Sequence, residues 1–359
     1  MLHTSRALTR SAAAMLATVL AAAMLGAGCG SDDSSDGSSQ KSTGGSDKKL
    51  VVYSGREEEL VAPLYKQFEQ DTGIELEVRY AESPELAATL KEEGAASKAD
   101  VFYGQDAGAL GSVEDLLAPA PASALAAVPP RFQDTDRKWI GVTGRVRVLA
   151  WNTEELEESE LPTSVLDITA AEWKGKVGVA PTNASFQAFV TGLRLELGEE
   201  RAEEFLKKLA ANEPKIYQKN SQIAEAVSSG EVPVGLVNHY YLYELRAKDP
   251  DAPVANHFFA AGDAGNMINV SAVGIIEGGE HRAEAETFVE YLLDEGQRYF
   301  ADEAEEREYP LATGAVKDNE RFKELPALES IKGPDVDLSE LGTELDASVQ
   351  MIRKSGLGS

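Results

Sequence analysis

Cysteine is almost absent from this chain. Of its 359 residues only Cys29 is a cysteine, which excludes a disulfide framework and a thiolate metal site. Histidine is also scarce, with four residues, and basic residues are outnumbered, with 34 Lys and Arg against 61 Asp and Glu. The resulting formal charge of −27 disfavours nucleic-acid binding, because that function depends on basic patches that neutralise phosphates.

The short motifs of common enzymes are absent as well. The sequence contains no Gly-x-Ser-x-Gly elbow, P-loop, His-Glu-x-x-His pair or dinucleotide fingerprint. Without a recognisable nucleophile–base pair, we predict a protein that is not an enzyme. The acidic composition is compatible with attraction of cations or with solubility alone.

The N-terminus resembles a bacterial lipoprotein signal. A basic segment precedes an apolar stretch from Ala12 to Leu25, which is too short for a mature transmembrane helix. Gly26 stands where a large apolar residue usually precedes the lipidated cysteine. We predict a lipoprotein signal peptide over residues 1–28, followed by a lipidated Cys29. An ordinary secretory peptide with an incidental cysteine is the alternative.

The segment after Cys29 is rich in Ser, Gly, Asp and Lys. Such a composition cannot bury enough apolar surface to fold, so residues 29–49 are predicted to be a lipidated cysteine and a flexible tether. A lipid and a tether would hold the folded body at the outer face of the cell membrane. No other segment of the sequence is long and apolar enough to predict a transmembrane helix.

The body of the chain alternates predicted strands with predicted helices. An apolar strand at Leu50–Tyr53 precedes an amphipathic helix, a second series begins near Gly144, and one long helix is predicted over residues 283–299. This alternation predicts parallel β-α-β units with helices on both faces. Ligands of such sheets bind beyond the carboxyl ends of the strands. The loops selected by this rule are Ser54–Glu58, Gly104–Ala107 and the turn at Tyr240.

Two adjacent tyrosines, Tyr240 and Tyr241, follow a predicted strand at Val232–Val237. At a strand-to-helix turn both phenols can point into a cleft, and phenolate is a hard anionic oxygen that suits Fe(III). A packed aromatic pair with hydrogen-bonded hydroxyls is the alternative. The preceding His239 could also be a ligand, but side chains at a strand end alternate in direction, so a role behind the ligands or a structural role is predicted for it.

Several segments resemble, in the same order, the ferric-ion-binding proteins of bacterial ABC importers. They are Val52–Gly55, Ala99–Tyr103, Gly141–Arg145, Val148–Asn152, Trp173–Lys176, Pro181–Asn183, Gly230–Val234 and Asn238–Tyr241. The resemblance implies an α/β, two-lobed, periplasmic-binding-protein-like fold, in which each lobe is a mainly parallel sheet flanked by helices. Two crossover strands would join the lobes. The implied N-terminal lobe is 50–147 plus 272–325, and the implied C-terminal lobe is 148–271 plus 326–359.

The resemblance also implies an extracytoplasmic, monomeric binding protein that captures ferric iron and delivers it to an ABC permease. By position, Tyr240 and Tyr241 would be phenolate ligands of the metal. The family often supplies a His and a Glu from two first-lobe loops, and this chain has Glu57 (or Glu58) and Gln105 there. Water, an anion or a chelator would complete the coordination of the metal.

The same family binds a synergistic anion beside the iron, for which carbonate, phosphate and citrate are the candidates. Free N–H groups at a helix N-terminus, together with asparagine and arginine side chains, favour such an anion. The implied anion-binding residues are Arg145, Asn183, Ala184, Ser185, Asn220 and Asn238. The alternatives are that Asn183 is only a helix N-cap and that Arg145 forms only a surface ion pair.

Other functions of the same fold stay open at this point. The protein could bind a ferric chelate such as citrate, or a small oxyanion or phosphonate without metal. A cell-surface adhesion or structural lipoprotein without a small ligand is a further alternative.

Overall fold

The computed structural model describes residues 48–304, 307–314 and 325–357. The predicted signal peptide and the tether up to residue 47 lie outside the described residues, so both stay predictions. Within the described ranges, no helix has the length and apolar character that crossing a membrane requires.

Strands and helices alternate along most of the chain. The strands are β1 (Lys49–Ser54), β2 (Glu75–Tyr80), β3 (Val101–Gly104), β4 (Trp139–Asn152), β5 (Val177–Val179), β6 (Lys215–Ile216), β7 (Val234–Asn238), β8 (Val254–His257), β9 (Ile268–Ile275) and β10 (Tyr309–Pro310). The helices are α1 (Glu58–Thr72), α2 (Ser83–Glu93), α3 (Ala107–Gly111), α4 (Ala122–Ala127), α5 (Ala184–Leu197), α6 (Glu199–Ala211), α7 (Asn220–Ser228), α8 (Tyr241–Lys248), α9 (Arg282–Leu292), α10 (Glu295–Asp302), α11 (Glu340–Thr343) and α12 (Leu345–Ser355).

Two groups of parallel strands meet at a shared antiparallel centre. The strand order is β2-β1-β3-β9-β4-β7-β5-β6, and β8 and β10 also pair with β4. The β2-β1-β3 group and the β7-β5-β6 group are parallel, whereas the pairings of β4 with β7, β8, β9 and β10 are antiparallel. The predicted α/β class is confirmed, while the antiparallel centre is not anticipated by the sequence pattern.

Strand β4 connects the two sheets. Its residues up to Val146 pair with β9 in the first sheet, and its residues from Arg147 pair with β7 in the second. The sequence predicts only the second half of this strand, because Gly141 and Gly144 weaken the strand pattern of the first half. At Gly141 a Cβ atom would lie 2.8 Å from the carbonyl oxygen of Phe132, so close backbone approach requires the glycine. The predicted lobe limits stay predictions.

The prediction of one continuous helix over residues 283–299 is wrong. The structure has two helices there, α9 and α10, with a break at Leu293 and Asp294. The buried side chain of Gln297 donates hydrogen bonds to the carbonyl oxygens of Leu292 and Val142. This glutamine therefore provides a hydrogen-bond donor for a carbonyl group at the end of α9 and links that end to β4. The contact is long-range, so the periodicity of the sequence does not reveal it.

Helix α1 follows the loop that ends β1. It buries Val61, Leu64, Tyr65 and Phe68 on one face, a spacing typical of an amphipathic helix on a sheet. Gly73, with φ 69°, ends the helix in the left-handed conformation. This packing fixes the start of α1, and with it the predicted ligand loop at residues 54–58.

Candidate functional site

The tyrosine pair lies directly after β7, at the carboxyl end of that strand. Tyr240 forms the turn and Tyr241 begins α8. Their ring centroids are 4.5 Å apart, and their hydroxyl oxygens are 3.4 Å apart. Tyr240 is buried, whereas Tyr241 is partly exposed. The hydroxyls converge, so both oxygens can contact one metal ion.

A buried arginine from β4, Arg147, lies beside the pair. Its Nη1 donates to Ser185 Oγ at 3.2 Å and to the side-chain oxygens of Asn220 and Asn238 at 3.4 Å each. Its Nη2 donates to the carbonyl oxygen of Leu236 at 2.8 Å. These contacts fix the guanidinium within a shell of neutral polar groups.

The charge of Arg147 is not balanced by a carboxylate among these contacts. Burial lowers its pKa to about 10, and the neighbouring Tyr241 and Tyr240 act in the opposite direction. The guanidinium therefore stays charged at neutral pH. Among the described residues its Nε atom is buried and has no hydrogen-bond partner. A buried cation beside two phenols favours their ionised form and also favours a bound anion.

The N-terminus of α5 completes this cluster. Asn183 is the N-cap, and its Oδ1 accepts from the backbone N–H of Ser185 at 3.0 Å. Asn220 Nδ2 donates to Asn183 Oδ1 at 3.0 Å and to Ser185 Oγ at 2.8 Å. Asn238 Nδ2 lies 3.5 Å from the hydroxyl of Tyr240. We call Arg147, Asn183, Ser185, Asn220 and Asn238 the Arg147 cluster.

The structure thus brings together most of the predicted anion-binding residues. Asn183, Ser185, Asn220 and Asn238 lie in one cluster beside the tyrosines, and Ala184 is the first residue of α5. Asn183 does serve as an N-cap, as the alternative states, while its oxygen also accepts from Asn220.

Arg145 lies in a different cluster. Its Nη1 is 3.4 Å from Glu308 Oε1, and its Nη2 donates to the carbonyl oxygen of Gln105. The side chain is 5% exposed, so the ion pair is buried rather than on the surface. Arg145 as an anion ligand stays a prediction.

Arg147 is not among the residues predicted from the sequence, although it lies only two positions from Arg145. Side chains two residues apart lie on the same face of a strand, so alternation does not distinguish Arg145 from Arg147. Arg145 is opposite Asn269 in the first sheet, whereas Arg147 is opposite Asn238 in the second. Only this register shows which arginine faces the asparagines.

The predicted first-lobe ligands lie in the loops after β1 and β3. Glu57 and Glu58 are exposed at the start of α1. Gln105 is partly buried, and within the described part of the chain its Oε1 atom has no hydrogen-bond partner. Over the same residues, no three His, Cys, Asp or Glu side chains form a group that could hold a metal ion. Glu57 and Gln105 as ligands therefore stay predictions.

His239, which precedes Tyr240 in the chain, is fully buried. Its Nδ1 accepts from the backbone N–H of Val146 at 3.2 Å, so Nε2 carries the hydrogen and donates to the carbonyl oxygen of Arg307 at 3.1 Å. Burial lowers the pKa of His239 to about 4. Both ring nitrogens are engaged with backbone groups, in agreement with the structural role predicted for it.

Comparison with known proteins assigns the family. Residues 95–332 match the model of the family described as bacterial extracellular solute-binding protein. The chain belongs to this family. Its members are extracytoplasmic proteins that bind solutes for transport, and the family is not one of enzymes. This solute-binding protein is 30% identical over 316 residues to the Fe(3+)-binding periplasmic protein of Serratia marcescens, an alignment that covers 87% of this chain and 91% of that one.

Solved structures show the same fold. Iron-bound HitA from Pseudomonas aeruginosa is 32% identical, with a TM-score of 0.77, and the match covers 86% of this chain and 100% of HitA. The Trichodesmium protein IdiA (FutA), solved with iron and citrate ligands, is 26% identical, with a TM-score of 0.76, over 86% of this chain and 99% of that chain. These similarities confirm the predicted two-lobed fold for this solute-binding protein.

Proposed function

We propose that this protein captures ferric iron outside the cytoplasm and delivers it to an ABC permease. Tyr240 and Tyr241 bind the metal as phenolates. The observation that carries the proposal is the 3.4 Å separation of their hydroxyl oxygens beside a buried arginine. The similar Serratia protein is named for Fe(3+) binding, and the similar Pseudomonas structure contains iron. These relatives favour iron over a metal-free oxyanion or phosphonate.

An oxyanion binds with the iron at the Arg147 cluster. The guanidinium supplies a positive charge, and α5, which is 14 residues long, presents its N-terminus at the same place. Arginine suits planar oxyanions because its donors form a rigid fork. Carbonate, phosphate and the carboxylates of citrate all present oxygens to such donors.

Ferric citrate is the second candidate for the cargo. The Trichodesmium protein was solved with both iron and citrate, and the cationic Arg147 cluster suits a carboxylate-bearing chelator. In this version citrate supplies the ligands that Glu57 and Gln105 do not. Glu57 can offer a carboxylate oxygen to the metal, whereas Gln105 offers only a neutral amide oxygen.

Capture depends on the loss of two phenol protons. A free phenol has a pKa of about 10, so two phenols must lose their protons to bind a trivalent ion as phenolates. The positive charge of Arg147 stabilises the resulting phenolates. Closure of the lobes excludes water and strengthens the metal–oxygen attraction, and opening at the permease releases the ion.

The protein acts as a monomer anchored at the outer face of the cell membrane. The lipid is carried by Cys29, and the segment rich in Ser, Gly and Asp that follows it links the lipid to the folded body, which begins at β1 (Lys49–Ser54). The composition of this segment and the preceding apolar stretch support the anchor. Mass spectrometry of the protein from its native membrane would show diacylglycerol on Cys29, and an unmodified N-terminus at another residue would contradict the anchor.

Iron loading of the folded body tests the proposed cargo. The protein is mixed with ferric nitrilotriacetate, with or without carbonate or citrate, and the bound iron per protein is measured after gel filtration. We expect about one Fe(III) per chain, and a requirement for citrate would select the chelate version. Loading of phosphate or a phosphonate, with no uptake of iron under any condition, would contradict the proposal.

Tyr217→Phe is a matched control for the tyrosine variants. Tyr217 donates a hydrogen bond to Glu231 at 3.0 Å on the surface of the second sheet, away from the pair. Loss of its hydroxyl should leave iron loading unchanged. Tyr240→Phe and Tyr241→Phe should each reduce loading.

A further inference from the structure

Residues 307–309 lie where β4 passes from one sheet to the other. Tyr309 in β10 pairs with Gly144, and Pro310 pairs with Thr143. Three residues later along β4, Arg147 already pairs with β7 of the second sheet. We call residues 307–309 the hinge brace, because they lie beside the point at which the chain crosses between the sheets.

The central residue of the hinge brace is a buried carboxylate. Glu308 Oε2 accepts from Arg56 Nη2 at 2.8 Å and from the hydroxyl of Thr143, and Oε1 accepts from Arg145 Nη1 at 3.4 Å. Burial opposes its ionisation, but the Arg56 and Arg145 guanidiniums outweigh it and lower the pKa of Glu308 to about 2. The Glu308 carboxylate thus lies between two buried cations.

Each of the two arginines is part of, or hydrogen-bonded to, one of the predicted first-lobe loops. Arg56 belongs to the loop after β1 and immediately precedes Glu57. Arg145 donates to the carbonyl oxygen of Gln105, in the loop after β3. The Glu308 carboxylate therefore fixes the two loops whose side chains are predicted to reach the metal.

The residues on either side of Glu308 contact the tyrosine turn. The carbonyl oxygen of Arg307 accepts from His239 Nε2 at 3.1 Å, and its guanidinium lies 4.3 Å from the ring centroid of Tyr243. The rings of Tyr309 and His239 are 4.9 Å apart. Arg307 has φ 49°, a costly left-handed conformation for a non-glycine residue, which surrounding contacts must hold in place.

We propose that Glu308 is a positioning residue for metal capture. It fixes the first-lobe loops at Arg56 and Gln105 relative to the turn that carries Tyr240 and Tyr241. The inference rests on the proposed function, since it concerns how the lobes close over the metal. Glu308 itself does not contact the cargo; it acts through the two arginines and through its neighbours in the hinge brace.

Replacement by glutamine isolates the charge of this residue. Glu308→Gln keeps the size of the side chain but removes the negative charge that Arg56 and Arg145 contact. Removing one partner of a buried ion pair is strongly unfavourable, so the arginines and the loops attached to them move apart. The closed form then loses stability relative to the open form, and bound iron leaves sooner.

Two measurements on the full chain test the inference. Wild type and Glu308→Gln are loaded from ferric nitrilotriacetate, and release to excess EDTA is followed by absorbance. Closure is measured as the change in radius of gyration on loading. We expect release to be roughly 2- to 30-fold faster in the variant, the range for residues that modulate coupling, with a smaller change in radius. The absorption maximum should not move, because the tyrosines remain ligands.

Asp100→Asn is the matched control. Asp100 is an equally buried carboxylate directly before β3, where it accepts from the backbone N–H of Val51 and lies 2.9 Å from His281 Nδ1. The control should lower thermal stability and leave iron release unchanged. Equal release rates in wild type and Glu308→Gln, or equal acceleration in both variants, would overturn the inference.

Thr143→Val provides a second route if Glu308→Gln does not fold. It removes one hydrogen bond to the same carboxylate and should accelerate release by a smaller factor; an unchanged rate would overturn the inference.

Iron uptake by wild type separates the two proposals. If wild type takes up no iron, the proposed function falls and this inference with it, whereas uptake with unaltered release in the variants refutes the inference alone.

Discussion

The two sides of the predicted cleft are built very differently. On the second-lobe side, Tyr240, Tyr241 and the Arg147 cluster form a connected set of hydrogen bonds around a buried charge. On the first-lobe side, Glu57 is exposed, and the Gln105 Oε1 atom has no hydrogen-bond partner among the described residues. The second-lobe side resembles a preformed site, whereas the first-lobe side resembles a cover that acts after capture.

This difference suggests a division of labour. A preformed set of oxygens and donors loses little entropy on binding, so it can hold the metal and its anion before closure. The first-lobe loops then need only exclude water and add weak ligands. Each of the following predictions compares the two sides, beginning with the largest expected effect.

Removal of both phenol hydroxyls should abolish capture. Tyr240→Phe combined with Tyr241→Phe leaves the rings in place and removes the two hardest oxygens from the second-lobe side. Loss of partners behind a metal ligand already costs about 10- to 100-fold in affinity, so loss of two direct ligands should cost more. Competition with nitrilotriacetate measures the affinity. Tight binding by the double variant would place the metal elsewhere.

Iron binding should release about two protons, both from the tyrosine pair. A free phenol has a pKa of about 10, so binding of the metal by two phenolates releases two protons, and affinity should fall by up to about 100-fold for each unit that the pH falls. His239, with a pKa of about 4, and Arg147, with a pKa of about 10, do not change charge between pH 5 and 8.

Titration in weakly buffered solution counts these protons directly. The share released by the chelator is subtracted with a protein-free blank. Tyr240→Phe should release one proton fewer than wild type. A count that is the same in wild type and in this variant would show that the protons come from another group.

Substitution of Arg147 should weaken binding by an intermediate amount. Arg147→Gln removes the charge that faces the anion and the phenolates, and we expect a loss of about 10- to 100-fold. The variant should also lose any dependence of iron affinity on carbonate or citrate. Arg147→Lys keeps the charge without the planar fork, so it should lie between wild type and Arg147→Gln. Retained anion dependence in Arg147→Gln would point to Arg145 instead.

Substitutions on the first-lobe side should have the smallest effect. Glu57→Ala removes a carboxylate that is exposed in this structure, so we expect less than about a 10-fold loss in affinity, within the range of coupled but indirect residues. Glu58→Ala tests the alternative ligand in the same way, and Glu59→Ala, at the next exposed carboxylate of α1, is the control. Gln105→Glu should strengthen binding by adding a hard anionic oxygen. A larger loss of iron affinity in Glu57→Ala than in Arg147→Gln would show that the first-lobe side contributes more to binding, contrary to the proposed division of labour.

Local patterns predict much of this molecule and long-range register decides the rest. The amphipathic spacing of α1 and the alternation of strands and helices identify the fold class, and the position of the tyrosines after β7 places them at a strand end. The choice between Arg145 and Arg147 depends on which sheet each half of β4 joins. The break before α10 depends on Gln297 reaching Val142. Neither contact has a signal in local sequence.

The visible spectrum of the iron-loaded protein tests the central claim most directly. Wild type loaded from ferric nitrilotriacetate should show a phenolate-to-iron charge-transfer band, which should weaken in each single phenylalanine variant and vanish in the double variant. Tyr217→Phe should retain the full band. A wild-type protein that binds iron without such a band, or a double variant that keeps it, would contradict the assignment of Tyr240 and Tyr241 as the metal ligands.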